Sequence, residues 1–124
     1  MMEPGEVLKN LKYVEEFDSI RQHYYIYKGD EHYVLLTISK TKGREAGNVN
    51  FISKDAVEYV IELFEGQQRI TANDVFEAST RPALLQTPLE ALNALYVICA
   101  TQRGKRDMHN KGTPLRFNVW SRKA

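Results

Sequence analysis

TPLEALNALYVICATQRGKRDMHNKGTPLRFNVW, residues 87–120, is the stretch of this 124-residue chain that decides its fold. It begins with a well-marked helix start. A short basic segment follows at 103–111, with glycines at 104 and 112 near its two ends, and a strand-like run at 115–120 closes the stretch. The order of helix, basic turn and strand predicts an α+β fold that carries cations near its C-terminal end.

The helix of this stretch begins at Thr87. Thr87 is a good N-cap, Pro88 suits the first helical position, and Glu90 at the third position predicts a capping box. Residues 96–101 are rich in β-formers, so they fit either the end of this helix or a strand that pairs with 115–120. The apolar residues along one side of the helix are Leu89, Leu92, Leu95, Tyr96 and Cys99.

Two helices are predicted before it. The apolar residues of 54–64 are spaced as a core-facing stripe, with Ser53 as N-cap and Gly66 where a glycine ends a helix. Thr71 as an N-cap with Asp74 at the third position, and Ile70 and Val75 as a hydrophobic staple, predict a second helix over 72–79.

Residues 20–39 predict a β-hairpin. Two aromatic and β-branched runs flank Gly29-Asp30, which suits a two-residue type II′ turn and sets Lys28 opposite Glu31. Both faces of this hairpin are apolar or aromatic. In a hairpin with one solvent-exposed face, apolar and polar residues alternate along each strand. Either the fold covers both faces, or one of them is a contact surface.

The segments on either side of the hairpin are less clearly marked. Apolar spacing over 6–18 predicts a helix, although Tyr13, Val14 and Phe17 also suit an extended chain. A third short strand is predicted at 48–52, after a polar basic loop.

Composition places the chain among globular proteins. Apolar residues are 43% and charged residues 27%, which is ordinary for such proteins. Cys99 is the single cysteine, and no signal peptide or membrane span is recognisable, so we expect a cytoplasmic protein with no membrane contact. Residues 1–99 carry ten cations and fifteen anions, whereas residues 100–124 carry seven cations and one anion. This asymmetry fits either an anionic partner or a solvated C-terminus that carries cations by chance.

Residues 53–120 are thus expected to run helix, short extended piece, helix, turn, helix, basic turn, strand. This order resembles that of winged helix-turn-helix domains; it covers just over half of the chain, and no residue motif carries it. We expect a single α+β domain over 1–124. An N-terminal helix and antiparallel β-hairpin (1–52) would precede a winged-helix-like three-helix core with a C-terminal strand (53–120).

The resemblance implies that the helix beginning at Thr87 enters the major groove of DNA and that the basic turn touches phosphates. The chain departs from the pattern in two ways. The turn at 80–86 is longer than the three to four residues of a helix-turn-helix. The helix also lacks Arg or Lys before Arg103, although base-reading helices usually bear them. Its side away from the leucines offers Glu90, Asn93, Ala94 and Val97.

Two groups of residues are candidate nucleic-acid contacts. Lys and Arg bind phosphates, and Asn93 alone could read a base. Cations of the loop at 40–48, beside the tyrosines of the hairpin, suit stacked single strands. The structural alternatives are a solubilising turn for the first group and core tyrosines for the second. The candidate residues are Arg103, Lys105, Arg106, Lys111, Arg116, Asn93, Lys40, Lys42 and Arg44.

Neither a cofactor nor a metal site nor catalysis is predicted. His23, His32 and His109 lack metal-ligand spacing with each other or with Cys99. Cys99 lies on an apolar stripe, where it is typical of a small buried hydrophobe. The chain has no phosphate loop, GxGxxG or GxSxG motif.

The sequence therefore predicts a small non-enzymatic DNA-binding regulator of the winged-helix type. It would contact the phosphates of duplex DNA through the basic turn. The alternative is a protein-interaction module that forms a homodimer through the aromatic hairpin and binds no nucleic acid.

Overall fold

The structure is a computed structural model that describes residues 12–18, 22–39, 47–107 and 115–121. Within these ranges the fold is mixed α+β, with three helices, a four-stranded antiparallel sheet and a two-stranded sheet. The chain divides into two compact units, Met1–Lys54 and Asp55–Ala124. None of the helices in the described ranges is long and apolar enough to cross a membrane.

The first unit contains the four-stranded sheet, in which neighbouring strands follow each other in sequence. One face of the two central strands is the buried one, because Tyr24, Ile26, Tyr33 and Leu35 are each at most 5% exposed. The strands are β1 (Lys12–Asp18), β2 (Gln22–Lys28), β3 (His32–Ser39) and β4 (Gly47–Ser53).

Strand β1 shows that the predicted helix over 6–18 is wrong from Lys12 onwards; residues 6–11 lie outside the described part. The strand pairs with β2, and an irregularity in the register follows Tyr13. Tyr13 and Tyr27 pack edge to face with ring centres 5.6 Å apart. The helix prediction used only the apolar spacing within residues 6–18. A strand is stabilised by pairs with a neighbouring strand, such as Tyr13 with Tyr27, which that spacing does not include.

Strands β2 and β3 confirm the predicted hairpin, and β4 confirms the third strand, but the predicted register is off by two residues. Lys28 pairs with Tyr33 rather than with Glu31. The Gly29 N–H donates to the His32 carbonyl oxygen over 2.8 Å. The two central residues of the turn are therefore Asp30 and Glu31, whereas Gly29 and Asp30 were predicted. Because a shift of two is even, every side chain stays on its predicted face.

Three helices follow, and the first has the predicted bounds. Gly66 ends it with a φ of +81°, a left-handed conformation in which glycine is the least strained residue. The second ends one residue before the predicted boundary. The helices are α1 (Lys54–Phe64), α2 (Ala72–Ala78) and α3 (Pro88–Ala100).

The N-cap predicted at Thr71 is confirmed and forms a full capping box, whereas the capping box predicted at Thr87 is half confirmed. The Asp74 N–H donates to Thr71 Oγ1 over 3.0 Å, and the Thr71 N–H donates to Asp74 Oδ2 over 2.9 Å. At α3 the Glu90 N–H donates to Thr87 Oγ1 over 3.2 Å. The Glu90 carboxylate, however, accepts from the Gln86 N–H over 2.7 Å. The reciprocal box is therefore not formed at α3, because the carboxylate reaches one residue further back.

Residues 96–100 belong to helix α3, so the alternative of a strand at 96–101 is wrong. Tyr96, Val97 and Ile98 are each at most 1% exposed, and burial outweighs the β-propensity of such residues. Strand β5 (Gly104–Arg106) instead lies inside the basic segment and pairs with β6 (Phe117–Val119). On the other side of β6, Ile70 forms a bridge with Phe117.

Candidate nucleic-acid interface

The C-terminal hairpin buries one face and exposes the other. Phe117 and Val119 are 1% and 2% exposed, and they define the buried face. Lys105 is exposed and pairs with Asn118 across the two strands, so both side chains leave from the outer face. Arg116 stands two residues before Asn118 and therefore shares this face, since side chains alternate along a strand.

Arg69 is held against the same outer face by its backbone. Its N–H donates to Asn118 Oδ1 over 2.9 Å, and its carbonyl oxygen accepts from Arg116 Nη1 over 3.0 Å. The residue is exposed and has a φ of +59°. This left-handed conformation costs an arginine about 1–2 kcal/mol, so the two hydrogen bonds hold an exposed cation in a strained position. Such strain is frequent at functional sites.

We call Arg69, Lys105, Arg116 and Asn118 the basic hairpin face. In the part of the chain that the structure describes, no carboxylate forms an ion pair with any of its three cations. Asp107, the acidic residue nearest to it in sequence, is 4% exposed. Three cations that share a face without a counter-charge repel each other, and an anion with several oxygen atoms would relieve this repulsion.

Arg103, the first of the predicted phosphate contacts, is occupied by a structural ion pair. Its Nη1 donates to both carboxylate oxygens of Glu58 over 2.9 and 2.8 Å, and its Nε donates to Thr101 Oγ1 over 3.2 Å. The guanidinium is thereby neutralised locally and joins α3 to α1. Arg103 is therefore a weaker phosphate contact than its position in the basic segment indicates.

Three of the four residues on the predicted outward side of α3 lie inside the protein; the fourth, Glu90, is half-buried. Asn93 is 3% exposed, and Ala94 and Val97 are fully buried. The predicted apolar stripe includes the exposed residue Leu89, at 53%. Asn93 therefore lies on the buried side of α3 and not on the predicted outer side, with almost no exposed surface for reading a base. The reason is that α3 is apolar nearly all round, so the leucine spacing alone did not define its buried side.

The other predicted contacts are distributed as follows. Arg106 is half-buried and pairs with Phe117, so its side chain leaves the hairpin on the face opposite Lys105. The remaining four, Lys111, Lys40, Lys42 and Arg44, lie outside the described residues.

Two residues of the basic hairpin face, Arg69 and Asn118, were not predicted from the sequence. Arg69 is far from the basic segment in sequence, and it reaches the face through the bridge of Ile70 to β6 and its own backbone hydrogen bonds to Asn118 and Arg116. Asn118 had a usable signal, because it alternates with Phe117 and Val119 in a strand with two buried positions.

No group of three or more His, Cys, Asp or Glu within the described residues is arranged to hold a metal ion. The Tyr59 hydroxyl accepts a hydrogen bond from the Thr80 N–H over 2.9 Å. The Arg81 guanidinium lies over the Tyr59 ring, with its central carbon 5.6 Å from the ring centre. These contacts lower the pKa of Tyr59, chiefly through side-chain hydrogen bonds to Thr80 and Ser79. They join α1 to the turn after α2.

Cys99 is expected to resist thiol reagents in the folded protein. Burial raises the pKa of its thiol from 9.0 to about 12, so the thiolate population at pH 8 falls about a thousandfold. Labelling with iodoacetamide at pH 8, with and without denaturant, measures the difference. Equal rates in the two states would contradict it. Since the folded-state pKa is raised, this thiol favours the folded state below pH 9 and loses that contribution as the pH rises towards 12.

Comparison with known proteins gave no match: no family model, no curated protein and no solved structure is significantly similar to the chain. Function therefore has to be inferred from the residues of the basic hairpin face and their surroundings.

Proposed function

We propose that the second unit binds the phosphate backbone of duplex DNA through the basic hairpin face. The observation that carries this proposal is the arrangement of Arg69, Lys105 and Arg116 around Asn118 without an acidic partner among the described residues. Phosphate contacts from Lys and Arg supply most of the non-specific affinity for nucleic acid. Asn118 can add a neutral donor, since its Oδ1 is already occupied.

The order of elements supports a winged-helix type of unit. Helix α1 is followed by Ile70, helices α2 and α3, and the β5–β6 hairpin, and Ile70 borders β6 on the side away from β5. This order is similar to that of winged helix-turn-helix domains, in which the hairpin is the wing that touches phosphates. The basic hairpin face would then be the outer surface of the wing.

The same geometry favours phosphate contact over base reading. Helix α3, which would be the recognition helix, buries Asn93 and exposes Leu89. Base edges are read by Arg, Lys, Asn or Gln side chains, whereas phosphate contacts carry no sequence information. We therefore propose binding with little preference for DNA sequence.

A titration of labelled duplex DNA over a series of salt concentrations tests this proposal. With three phosphate contacts, log K is expected to fall with log salt with a slope of about −2.7. Removing Lys105 (K105A) or Arg69 (R69G) is expected to weaken binding and to reduce the slope by about 1 each. Arg69→Gly is the sharper variant, because glycine relieves the left-handed strain and the fold should be retained.

The matched control is Arg103→Ala, which removes an arginine of the same segment that is paired with Glu58. It is expected to leave the salt slope unchanged. Absence of binding at low salt would reject the proposal, and so would a slope that K105A and R69G leave at its wild-type value.

A further inference from the structure

Trp120 lies next to the basic hairpin face, directly after strand β6. Its N–H donates to the Arg103 carbonyl oxygen over 3.0 Å, so the pairing of β5 with β6 continues to this residue. Side chains alternate along a strand, and Trp120 stands two residues after Asn118. Its indole ring therefore leaves the hairpin on the outer face, whereas the side chains of Phe117 and Val119 lie on the buried face.

The exposure of Trp120 distinguishes it from the other aromatic residues of the second unit. Its side chain is 45% exposed. The others are buried or half-buried, namely Tyr59, Phe64, Phe76, Tyr96 and Phe117. A single exposed apolar side chain needs no explanation by itself, so the surroundings of the ring decide what it can bind.

Cations lie beside the ring on the same face. Lys105 pairs with Asn118 and is therefore the diagonal cross-strand neighbour of Trp120. Such neighbours are about 7–8 Å apart, within reach of aromatic and long side chains. Arg116 lies beyond Asn118 on the same strand and the same face. Among the residues that the structure describes, no carboxylate pairs with either cation.

The carboxylate that comes with Arg103, the residue opposite Trp120, is already neutralised. Both oxygens of Glu58 accept hydrogen bonds from Arg103 Nη1, over 2.9 and 2.8 Å. Glu58 and Arg103 therefore add no net charge at this end of the hairpin, and the positive charge of Lys105 and Arg116 remains uncompensated beside the ring.

An exposed ring beside cations matches a nucleotide strand with unpaired bases. Every base has a π-face that stacks on an aromatic side chain, while Lys and Arg bind the phosphates on either side of it. In an intact duplex the bases already stack on one another, so an unpaired base is the better ligand for the ring. A lipid surface is a weaker match, because its affinity depends on the apolar area that is buried, and this face offers one ring.

We propose that Trp120 stacks on an unpaired base next to the duplex whose phosphates the basic hairpin face binds. This inference rests on the proposed function, and it narrows the preferred ligand to a duplex with a single-stranded extension. Lys105 would bind a phosphate of the extension beside the stacked base. Stacking of one base on an aromatic side chain corresponds to about 5- to 150-fold in affinity.

The test uses two partial duplexes that differ only in the bases of the extension. One extension has about eight thymidine nucleotides, and the other has the same number of abasic nucleotides, so that both carry the same phosphates. Titration followed by the anisotropy of a dye on the duplex measures both dissociation constants. The wild-type chain is expected to bind the thymidine extension about fivefold more tightly or better.

Trp120 is the single tryptophan of the chain, so its intrinsic fluorescence reports on the proposed contact directly. With unlabelled DNA, the thymidine extension is expected to quench the indole emission, because a base stacks on the ring. The abasic extension is expected to leave the emission nearly unchanged.

Variants assign the preference to the ring. Trp120→Ala is expected to reduce the ratio of the two dissociation constants to about one, and Trp120→Phe should retain part of the preference, since phenylalanine keeps an aromatic ring. Leu89→Ala is the matched control, because Leu89 is 53% exposed in the same unit; its ratio should equal that of wild type. A loss of folded protein would weaken both affinities alike and leave the ratio unchanged.

Three results would overturn the proposal. The first is equal affinity for the two extensions while the blunt duplex is bound with the expected salt slope; the proposed function would then stand without the stacking. The second is a Trp120→Ala variant that keeps the wild-type ratio. The third is tryptophan emission that responds to vesicles of anionic lipid and not to the thymidine extension, which would assign the ring to a membrane surface. Absence of binding to the blunt duplex and to both extensions at low salt would instead reject the proposed function, and this inference with it.

Discussion

Replacing Phe117 with alanine is expected to lower the free energy of unfolding by about 3–5 kcal/mol, the range for removing a buried aromatic ring. The ring is 1% exposed and packs edge to face on Tyr96, with centres 5.8 Å apart. The same residue exchanges both backbone hydrogen bonds with Ile70, over 2.9 and 2.8 Å. Phe117 therefore joins α3, the segment before α2 and the hairpin.

The expected effect on DNA binding follows from this position. Asn118 and Arg116 flank Phe117, and both bind the backbone of Arg69. If the ring is lost, the strand that orients these side chains loses its anchor, and we expect the affinity for duplex DNA to fall with the fraction of folded protein.

Urea denaturation followed by circular dichroism measures the stability change. Trp120→Ala is the matched control, since it removes an aromatic ring three residues along that is 45% exposed; a loss within about 0.5 kcal/mol is expected for such a surface position. A Phe117→Ala variant as stable as Trp120→Ala would show that the second unit does not depend on this contact.

The elements that the sequence predicted correctly are those set by local chemistry. The N-cap of α2 at Thr71, the end of α1 at Gly66 and the start of α3 at Thr87 each depend on residues within a few positions of one another. Hydrogen-bond partners so close in sequence leave little choice of geometry. The same holds for the hairpin, whose two faces are defined by alternation.

The predictions fail where the local structure depends on residues that are distant in sequence. Strand β1 forms because β2 offers it a pairing edge, which the spacing of residues 6–18 does not contain. The hairpin register was ambiguous because a two-residue shift preserves both faces. Helix α3 is apolar nearly all round, so its buried side depends on its neighbours, and Asn93 was placed on the wrong side.

The candidate site was predicted only in part, again because contacts between distant residues determine it. The sequence shows a cluster of cations at 103–106, but the structure gives each of them different surroundings. Arg103 is paired with Glu58, Lys105 is exposed on the outer face, and Arg106 leaves on the other face. Arg69 joins the site from a distant segment, and its position depends on the hydrogen bond that its N–H donates to the Asn118 side chain on β6.

The second large effect is expected for Gly104→Ala. A Cβ atom at Gly104 would overlap the carbonyl oxygen of Asn118 and approach Ile98 Cγ2 to 2.9 Å. The oxygen belongs to the paired strand, and Ile98 is 1% exposed, so neither can move away freely. Steric overlap of this kind costs about 1–3 kcal/mol or more, and we expect a loss at the upper end of that range.

Gly66→Ala separates this steric cost from a backbone cost. A Cβ at Gly66 would meet no atom within 4 Å, but its φ of +81° is unfavourable for alanine, which predicts a loss of about 1–2 kcal/mol. Thermal unfolding of the two variants should therefore rank Gly104→Ala as the less stable. The reverse order would mean that β5 and β6 are not as close as the structure places them.

The two glycine variants also separate stability from binding. Gly104 lies beside Lys105 on β5 and opposite β6, so a displacement there moves Lys105 away from Asn118. Gly66 lies in the turn after α1, outside the basic hairpin face. At temperatures where both variants are fully folded, we expect Gly104→Ala to weaken duplex DNA binding and Gly66→Ala to retain wild-type affinity. Equal affinity in both would mean that the phosphate contacts do not depend on the spacing of the hairpin strands.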